Sequence, residues 1–312
     1  MTAERYLDQV ALLVRILPEL GDETDFALKG GTAINLFIRE LPRLSVDIDL
    51  TYLPVADRDA SLAAVRAGLD RIAGRLTERL ELKVERQLLY DGKRLIVSQG
   101  PATIKIEVSP VLRGTVFEPE VRAVSRAVED RFGFAEVQLV SFADLYAGKI
   151  AAALDRQHPR DLFDIHYLLA EEGLTDDLFR AFLVYLVSHP RPPHELLCPH
   201  LLDVAQQYDE QFVGMTVAVV PLDVLLDARC RLIDEIGARA RTKDARDFLL
   251  GFHALEPDFA AIGLPNQLVD LPAVRWKLIN LERLRRENGA KFDQQMDELS
   301  ACLTLSSGPS SK

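Results

Sequence analysis

Apolar positions in the first half of the chain change period several times. Phe26 to Lys29 is a short apolar run ending at Gly30-Gly31, after which Ala33, Ile34, Phe37, Ile38 and Leu41 recur at helical spacing. The predicted order is strand, tight turn, helix. Arg43 to Tyr52 alternates polar and apolar and predicts a strand, and Leu62, Val65, Leu69, Ile72, Leu76 and Leu80 mark one face of a long helix. Three strands follow at about 82–90, 94–99 and 102–109, the first two joined by the Asp91-Gly92 hairpin signal. From Ser141 the apolar spacing stays near 3.6, starting at a capping-box-like pair, Ser141 and Asp144. Pro159, Pro221 and Pro272 fit first turns of helices and Gly173 fits a helix stop, while residues 189–193, His-Pro-Arg-Pro-Pro, interrupt the helical pattern.

This pattern predicts an α+β region followed by an all-helical one. The domains are expected at 1–172, a core with its motif helices, and 173–305, a helical domain, with 306–312 a disordered tail. No apolar run approaches the ~20 residues that span a bilayer, and the first ten residues carry acids instead of a signal-peptide core, so the expected place is the cytoplasm, with no membrane partner. Cys198, Cys230 and Cys302 are far apart with no CxxC pair, which predicts reduced, mostly buried thiols. A net charge of −11 argues against indiscriminate nucleic-acid binding, so any nucleic-acid contact must be local.

The chemistry concentrates in four places. Gly30, Gly31 and Thr32 open a helix, where glycines let a ligand approach the backbone and free N–H groups suit phosphate. Asp47 and Asp49 sit two apart on a strand, so both carboxylates leave one face while Val46, Ile48 and Leu50 point to the core. Adjacent acids repel, and with apolar flanks a bound cation is the natural compensation; magnesium, which combines a few carboxylates with substrate phosphates, suits them. Lys105 and Glu107 share a face of a second alternating strand, where the plain alternative is a solvated strand face. Lys149 and Arg156 share one helix face, and Asp161 and Asp164 share another after Pro159, where the plain alternative is a surface salt-bridge ladder.

In sequence, residues 30–50 (GGTAINLFIRELPRLSVDIDL), 103–109 (TIKIEVS) with Pro110, and 149–168 (KIAAALDRQHPRDLFDIHYL) resemble the AbiEii/AbiGii toxin family of nucleotidyltransferases. The ordered match covers residues 26–168. The resemblance implies a polymerase-β-like nucleotidyltransferase core, a mixed sheet flanked by helices, followed by a helical C-terminal region. It implies a nucleoside triphosphate substrate with magnesium, or manganese in its place, and a cognate antitoxin protein. Carried over residue by residue, Gly31 and Thr32 contact phosphate, with Gly30 beside them; Asp47, Asp49 and Glu107 are metal ligands; Lys149 binds the triphosphate, with Lys105 and Arg156 as further nucleotide contacts; and Asp161 or Asp164 is the later acidic motif. Within the resemblance the favoured acceptor is the 3′ end of tRNA. The other readings are nucleotidylation of a small molecule, such as an aminoglycoside, or of a protein, and a GTP-binding toxin component without transfer.

Ser45 stands two residues before Asp47, hence on the same expected strand face, and its phosphorylation would put negative charge beside the acids; local hydrogen bonding is its plain role. His189, His194, Cys198 and His200 match no standard zinc spacing. Arg239, Arg241, Lys243 and Arg246, and Arg275, Lys277, Arg283, Arg285 and Arg286, form two basic groups that read by default as solvated helix faces and alternatively as an RNA-docking patch. Trp276 is expected to pack helix against helix.

Overall fold

The computed structural model describes residues 3–89, 92–109 and 111–304. The centre of the expected Asp91-Gly92 hairpin and the expected disordered tail lie outside the described residues. The chain divides into two compact units, one running through Ser141 together with Gly214–Ala218, the other comprising Phe142–Val213 and the residues from Val219 onward.

The first unit is a mixed sheet with helices. In chain order it contains α1 (Ala3–Gly21), β1 (Phe26–Lys29), α2 (Gly30–Ala33) running into a π-helix (Ile34–Ile38), β2 (Asp47–Tyr52), α3 (Arg58–Glu78), β3 (Lys83–Leu89), β4 (Gly92–Gln99), β5 (Ala102–Val108), β6 (Glu120–Ala123), α4 (Arg126–Phe132) and β7 (Glu136–Leu139). The strand order is β3-β4-β5-β2-β1-β7-β6. β2 runs parallel to β5 and β1 parallel to β7, and the other neighbours are antiparallel.

One face of this sheet is the core. Ile48, Leu50, Leu95, Val97, Ile104 and Ile106 are all buried, and α1 and α3 pack against the sheet and against each other. The expected apolar stripe of α3 is buried from Leu62 through Leu76. Gly68 lets that helix lie close to β1, since a Cβ there would come within 2.5 Å of the Phe26 ring.

Two strand expectations change. β2 starts at Asp47, not Arg43, because the backbone of 43–44 is used elsewhere: Arg43 bridges Thr216, and the Leu44 N–H donates to the Met215 carbonyl at 2.9 Å. Ser45 is therefore off the strand. The short pieces β6, α4 and β7 have no counterpart in the periodicity reading; β6 is almost wholly exposed and carries no alternation to detect.

The second unit is helical: α5 (Phe142–Arg156), α6 (Pro159–Glu171), α7 (Asp176–Val187), α8 (Pro193–Leu197), α9 (Ala205–Gln211), α10 (Leu222–Ala240), α11 (Lys243–His253), α12 (Pro272–Glu287) and α13 (Gly289–Thr304). Pro159 and Pro272 are first residues of helices, and Gly173, at φ 68°, ends α6 by donating to the Leu168 carbonyl at 2.8 Å. Pro221 instead caps α10 from one residue outside it. The motif helices α5 and α6 pack with α7 and α10, within the compact unit that begins at Phe142.

Three expectations are corrected in this unit. Cys198 and Cys302 form a disulfide, and Cys230 is an exposed free thiol; wide sequence separation did not prevent the fold from bringing α13 beside α8. Trp276 does not seal a helix pair, being 46% exposed. Lys277 does not belong to a surface patch: its buried ammonium donates to the carbonyls of His189, Pro190 and Arg191 at 2.7, 3.2 and 2.9 Å, and burial lowers its pKa to about 8. Among the described residues no helix is long and apolar enough to cross a membrane.

Candidate active site

The face of the sheet opposite the α1–α3 core carries the charges. β2 places Asp47 and Asp49 on that face with Ile48 and Leu50 buried behind them, and β5 repeats the pattern with Lys105 and Glu107 over Ile104 and Ile106. Strand register then aligns them. Arg94 lies opposite Glu107, Glu107 opposite Asp49, and Asp49 opposite Lys29, a row of four charged residues across β4, β5, β2 and β1. One pair further along, Lys105 faces Asp47.

Within this row, Glu107 accepts from Arg94 at 3.2 Å and from Lys105 at 3.1 Å, and the Lys105 ammonium is 4.0 Å from Asp47. Burial works against the charge of Lys105, but the hydrogen bond to Glu107 and the nearby Asp47, Glu107 and Asp49 carboxylates raise its pKa overall. Asp49 is the strained member. Burial pushes its pKa up, Asp47 and Glu107 add to the rise, and Lys29 and Lys105 only partly offset it. Burial likewise lowers the pKa of Lys29, opposed by the charge of Asp49.

The Gly-Gly turn closes against these acids. Gly30 has φ 78°, and a Cβ on it would fall 2.8 Å from a carboxylate oxygen of Asp49; a Cβ on Gly31 would fall 2.7 Å from the guanidinium of Arg43 and 3.0 Å from Ser45 Oγ. The left-handed backbone at Gly30 favours glycine, and a side chain at Gly31 would have to displace the Arg43 guanidinium. The Thr32 hydroxyl, buried, donates to the Asp47 carbonyl at 2.5 Å and shares a 3.1 Å hydrogen bond with Ser45, while Asn35 donates to the Gly31 carbonyl at 2.8 Å. The turn is thus clamped to the start of β2, and the π-helical turn that follows is a distortion often found at functional sites.

Carboxylates are the donors a hard divalent cation takes, and magnesium needs only one or two from the protein, the rest coming from phosphate and water. Asp47 and Asp49, two carboxylates on one face of β2, fit that requirement. Among the described residues no group of three or more His, Cys, Asp or Glu side chains is arranged to hold a metal alone, and Glu107 is engaged by Arg94 and Lys105. The stretch from His189 to His200 gives no metal cage either. Cys198 is in the disulfide, and His194 sits 3.0 Å from Glu298.

In the helical unit, the expected pairs converge on buried acids. Lys149 lies between Asp161 and Asp164, at 2.8 and 3.0 Å, and Arg156 adds a 2.6 Å contact to Asp161. Asp161 and Asp164 are 1% and 2% exposed, so this is no surface ladder. Burial alone would raise the pKa of Asp161; the charge of Lys149 and the hydrogen bond and charge of Arg156 outweigh it and hold the carboxyl far below its ordinary range. The α5–α6 turn that makes this possible is fixed by Gln157, whose amide donates to the His200 carbonyl at 2.7 Å and accepts from Arg229 at 2.9 Å.

Periodicity located each motif residue but missed Lys29, Arg94 and Arg43. Lys29 adjoins the Gly-Gly turn and Arg94 lies on an alternating strand, yet only cross-strand register makes them partners of Asp49 and Glu107.

The sheet thus sets a glycine turn beside two aspartates that leave one face of β2. The family model described as "Nucleotidyl transferase AbiEii toxin, Type IV TA system" matches residues 11–280, and the chain belongs to that family of toxin nucleotidyltransferases. A solved structure with the same fold is MenT4, a nucleotidyltransferase toxin of Mycobacterium tuberculosis, at 16% identity and a TM-score of 0.55, covering 96% of this chain and 95% of that one. No curated protein matches the sequence.

Asp161→Asn should destabilise the protein by about 3 kcal/mol at neutral pH, because Lys149 loses one of its two buried counter-charges. The sign with pH follows from a folded pKa below the unfolded one: the contribution of Asp161 is complete above the ordinary value of 3.8 and is lost as pH falls below it. Urea unfolding of both proteins should therefore show a gap that narrows in acid. A gap independent of pH would mean that Asp161 acts through packing and not charge.

Proposed function

We propose that the chain transfers a nucleotide from a nucleoside triphosphate to an acceptor hydroxyl, with the 3′ end of tRNA as the acceptor. The observation that carries this reading is the placement of Asp47 and Asp49 on one sheet face, against the Gly30-Gly31 turn, in a member of a nucleotidyltransferase family. In the reaction the acceptor oxygen bonds to the α-phosphorus as the bond to the leaving pyrophosphate breaks, and the hydroxyl proton is released. Magnesium or manganese, when bound, supplies Lewis-acid neutralisation of the reacting and leaving oxygens.

Asp47 and Asp49 are the residues assigned to hold that cation, with Glu107 as the third acid. The backbone of Gly30, Gly31 and Thr32 contacts phosphate, the Thr32 hydroxyl being held by the Asp47 carbonyl, and Lys105 supplies a cation next to the carboxylates for the nucleotide. Lys149 and Arg156 take the triphosphate-binding role that the family resemblance implies. Asp161 and Asp164 then act as positioning residues, since both carboxylates are occupied in holding Lys149. A cognate antitoxin is the protein partner that a toxin–antitoxin family implies.

The net charge of −11 gives one reason to keep a second reading, a small cationic acceptor drawn to an acidic surface. Incubating the protein with magnesium, each radiolabelled nucleoside triphosphate and total tRNA separates the two. Label should enter tRNA with the wild type and not with Asp49→Ala. Metal-dependent triphosphate binding without labelled tRNA would overturn the tRNA reading in favour of another acceptor or of binding alone.

Ser45 offers a point of control. Its hydroxyl bonds Thr32, which in turn bonds the Asp47 carbonyl, so a phosphate there would break the clamp and place about two negative charges beside the acids. Phosphate incorporation by a partner kinase should silence transfer and disappear in Ser45→Ala; incorporation elsewhere, with Ser45→Ala still silenced, would remove Ser45 from that role.

A further inference from the structure

The helical unit carries a basic, aromatic surface that the transfer chemistry does not use. In a chain of net charge −11, α12 has five basic residues, Arg275, Lys277, Arg283, Arg285 and Arg286, against two acids, Glu282 and Glu287. Lys277 is turned inward, and Arg283 and Arg286 lean on Glu287 at 2.9 and 3.3 Å. Arg275 and Arg285, with Lys291 at the start of α13, are exposed and make no ion pair among the described residues. The same helix leaves Trp276 46% and Ile279 61% exposed.

Beside Trp276 lies a cavity of about 370 Å³ lined by Pro190, Pro192, Trp276, Asn280, Lys291 and Gln295, with the Glu195 carboxylate, itself paired to Arg191, also at its wall. The buried Lys277 ammonium fixes this wall by tying down the three carbonyls of 189–191. An indole with prolines around it stacks flat rings; the Asn280 amide donates to the Trp276 carbonyl at 2.9 Å, Gln295 lines the wall beyond it, and the Lys291 ammonium at the rim attracts phosphate. That combination is how single-stranded nucleic acid is held without strict sequence preference.

We infer that α12, with the cavity beside Trp276, is a docking surface for single-stranded RNA, which stacks a base on Trp276 while Lys291 at the cavity wall and Arg275 on the adjoining flank of the helix contact its phosphates. RNA in preference to another polyanion rests on the acceptor reading proposed above. The charge balance favours RNA over a protein occupant, since a polyanion gains from α12 what the rest of this acidic chain denies it.

Trp276 is the single tryptophan of the chain, so its emission reports the surface directly. The full-length Asp49→Asn variant, mixed with a single-stranded oligoribonucleotide of about ten nucleotides, should show quenched emission that weakens with salt. By anisotropy of the labelled RNA, Trp276→Ala should bind about tenfold more weakly, and Arg275→Ala with Lys291→Ala should reduce the salt slope by about 1.4. Unchanged emission at RNA concentrations that saturate transfer would overturn the docking surface and leave the transferase reading intact. Quenching by RNA when the wild type labels no RNA would support the surface and fault the acceptor reading instead. Quenching by polyglutamate but not by RNA would overturn the proposal and mark a protein interface.

Discussion

The structure of the catalytic unit turns on the repulsion between carboxylates that the sheet register forces together. β2 sets Asp47 and Asp49 on one face, and β5, parallel to it, sets Glu107 opposite Asp49. In water such a set would be harmless. Here burial raises the pKa of Asp49, the Asp47 and Glu107 carboxylates add to the rise, and Lys29 and Lys105 offset only part of it. The turn crowds the same carboxylate, since a Cβ on Gly30 would fall 2.8 Å from one of its oxygens. Under the proposed function, a cation and a triphosphate would complete the arrangement, the cation supplying the positive charge that the paired carboxylates take.

Asp161 illustrates the opposite solution. Its carboxylate is deeper than that of Asp49, yet its pKa falls, because Lys149 and Arg156 reach it directly. Two buried acids in one chain are thus driven in opposite directions, one satisfied by its own protein and one left wanting. Asp161 is held by cations of its own helical unit, and Asp49 is the acid that the proposed function assigns to a cation.

Much of this was legible in the sequence because alternation and helical period are local. The Gly30-Gly31 turn, the faces of Asp47, Asp49, Lys105 and Glu107, the long α3 and the Pro159 helix start all follow from neighbours along the chain. What escaped depends on long-range placement. Arg94 and Lys29 became partners of the acids only through strand register. Arg43 left the expected strand because Thr216 and Met215, far along the chain, claimed its backbone and that of Leu44. Cys198 and Cys302 met because α13 packs on α8, and Lys277 turned inward because a proline-rich bend offered it three carbonyls. The toxin nucleotidyltransferase family was recognisable from motif order, and its family model matches residues 11–280.

The central claim is that Asp47 and Asp49 form a cation seat completed by triphosphate. Electron paramagnetic resonance of manganese, titrated into the protein with and without a non-hydrolysable nucleoside triphosphate, tests it directly. The account predicts that the nucleotide strengthens manganese binding in the wild type and that Asp47→Asn with Asp49→Asn abolishes this while leaving the protein folded. Manganese held equally well by that double variant, with the nucleotide still enhancing it, would contradict the account.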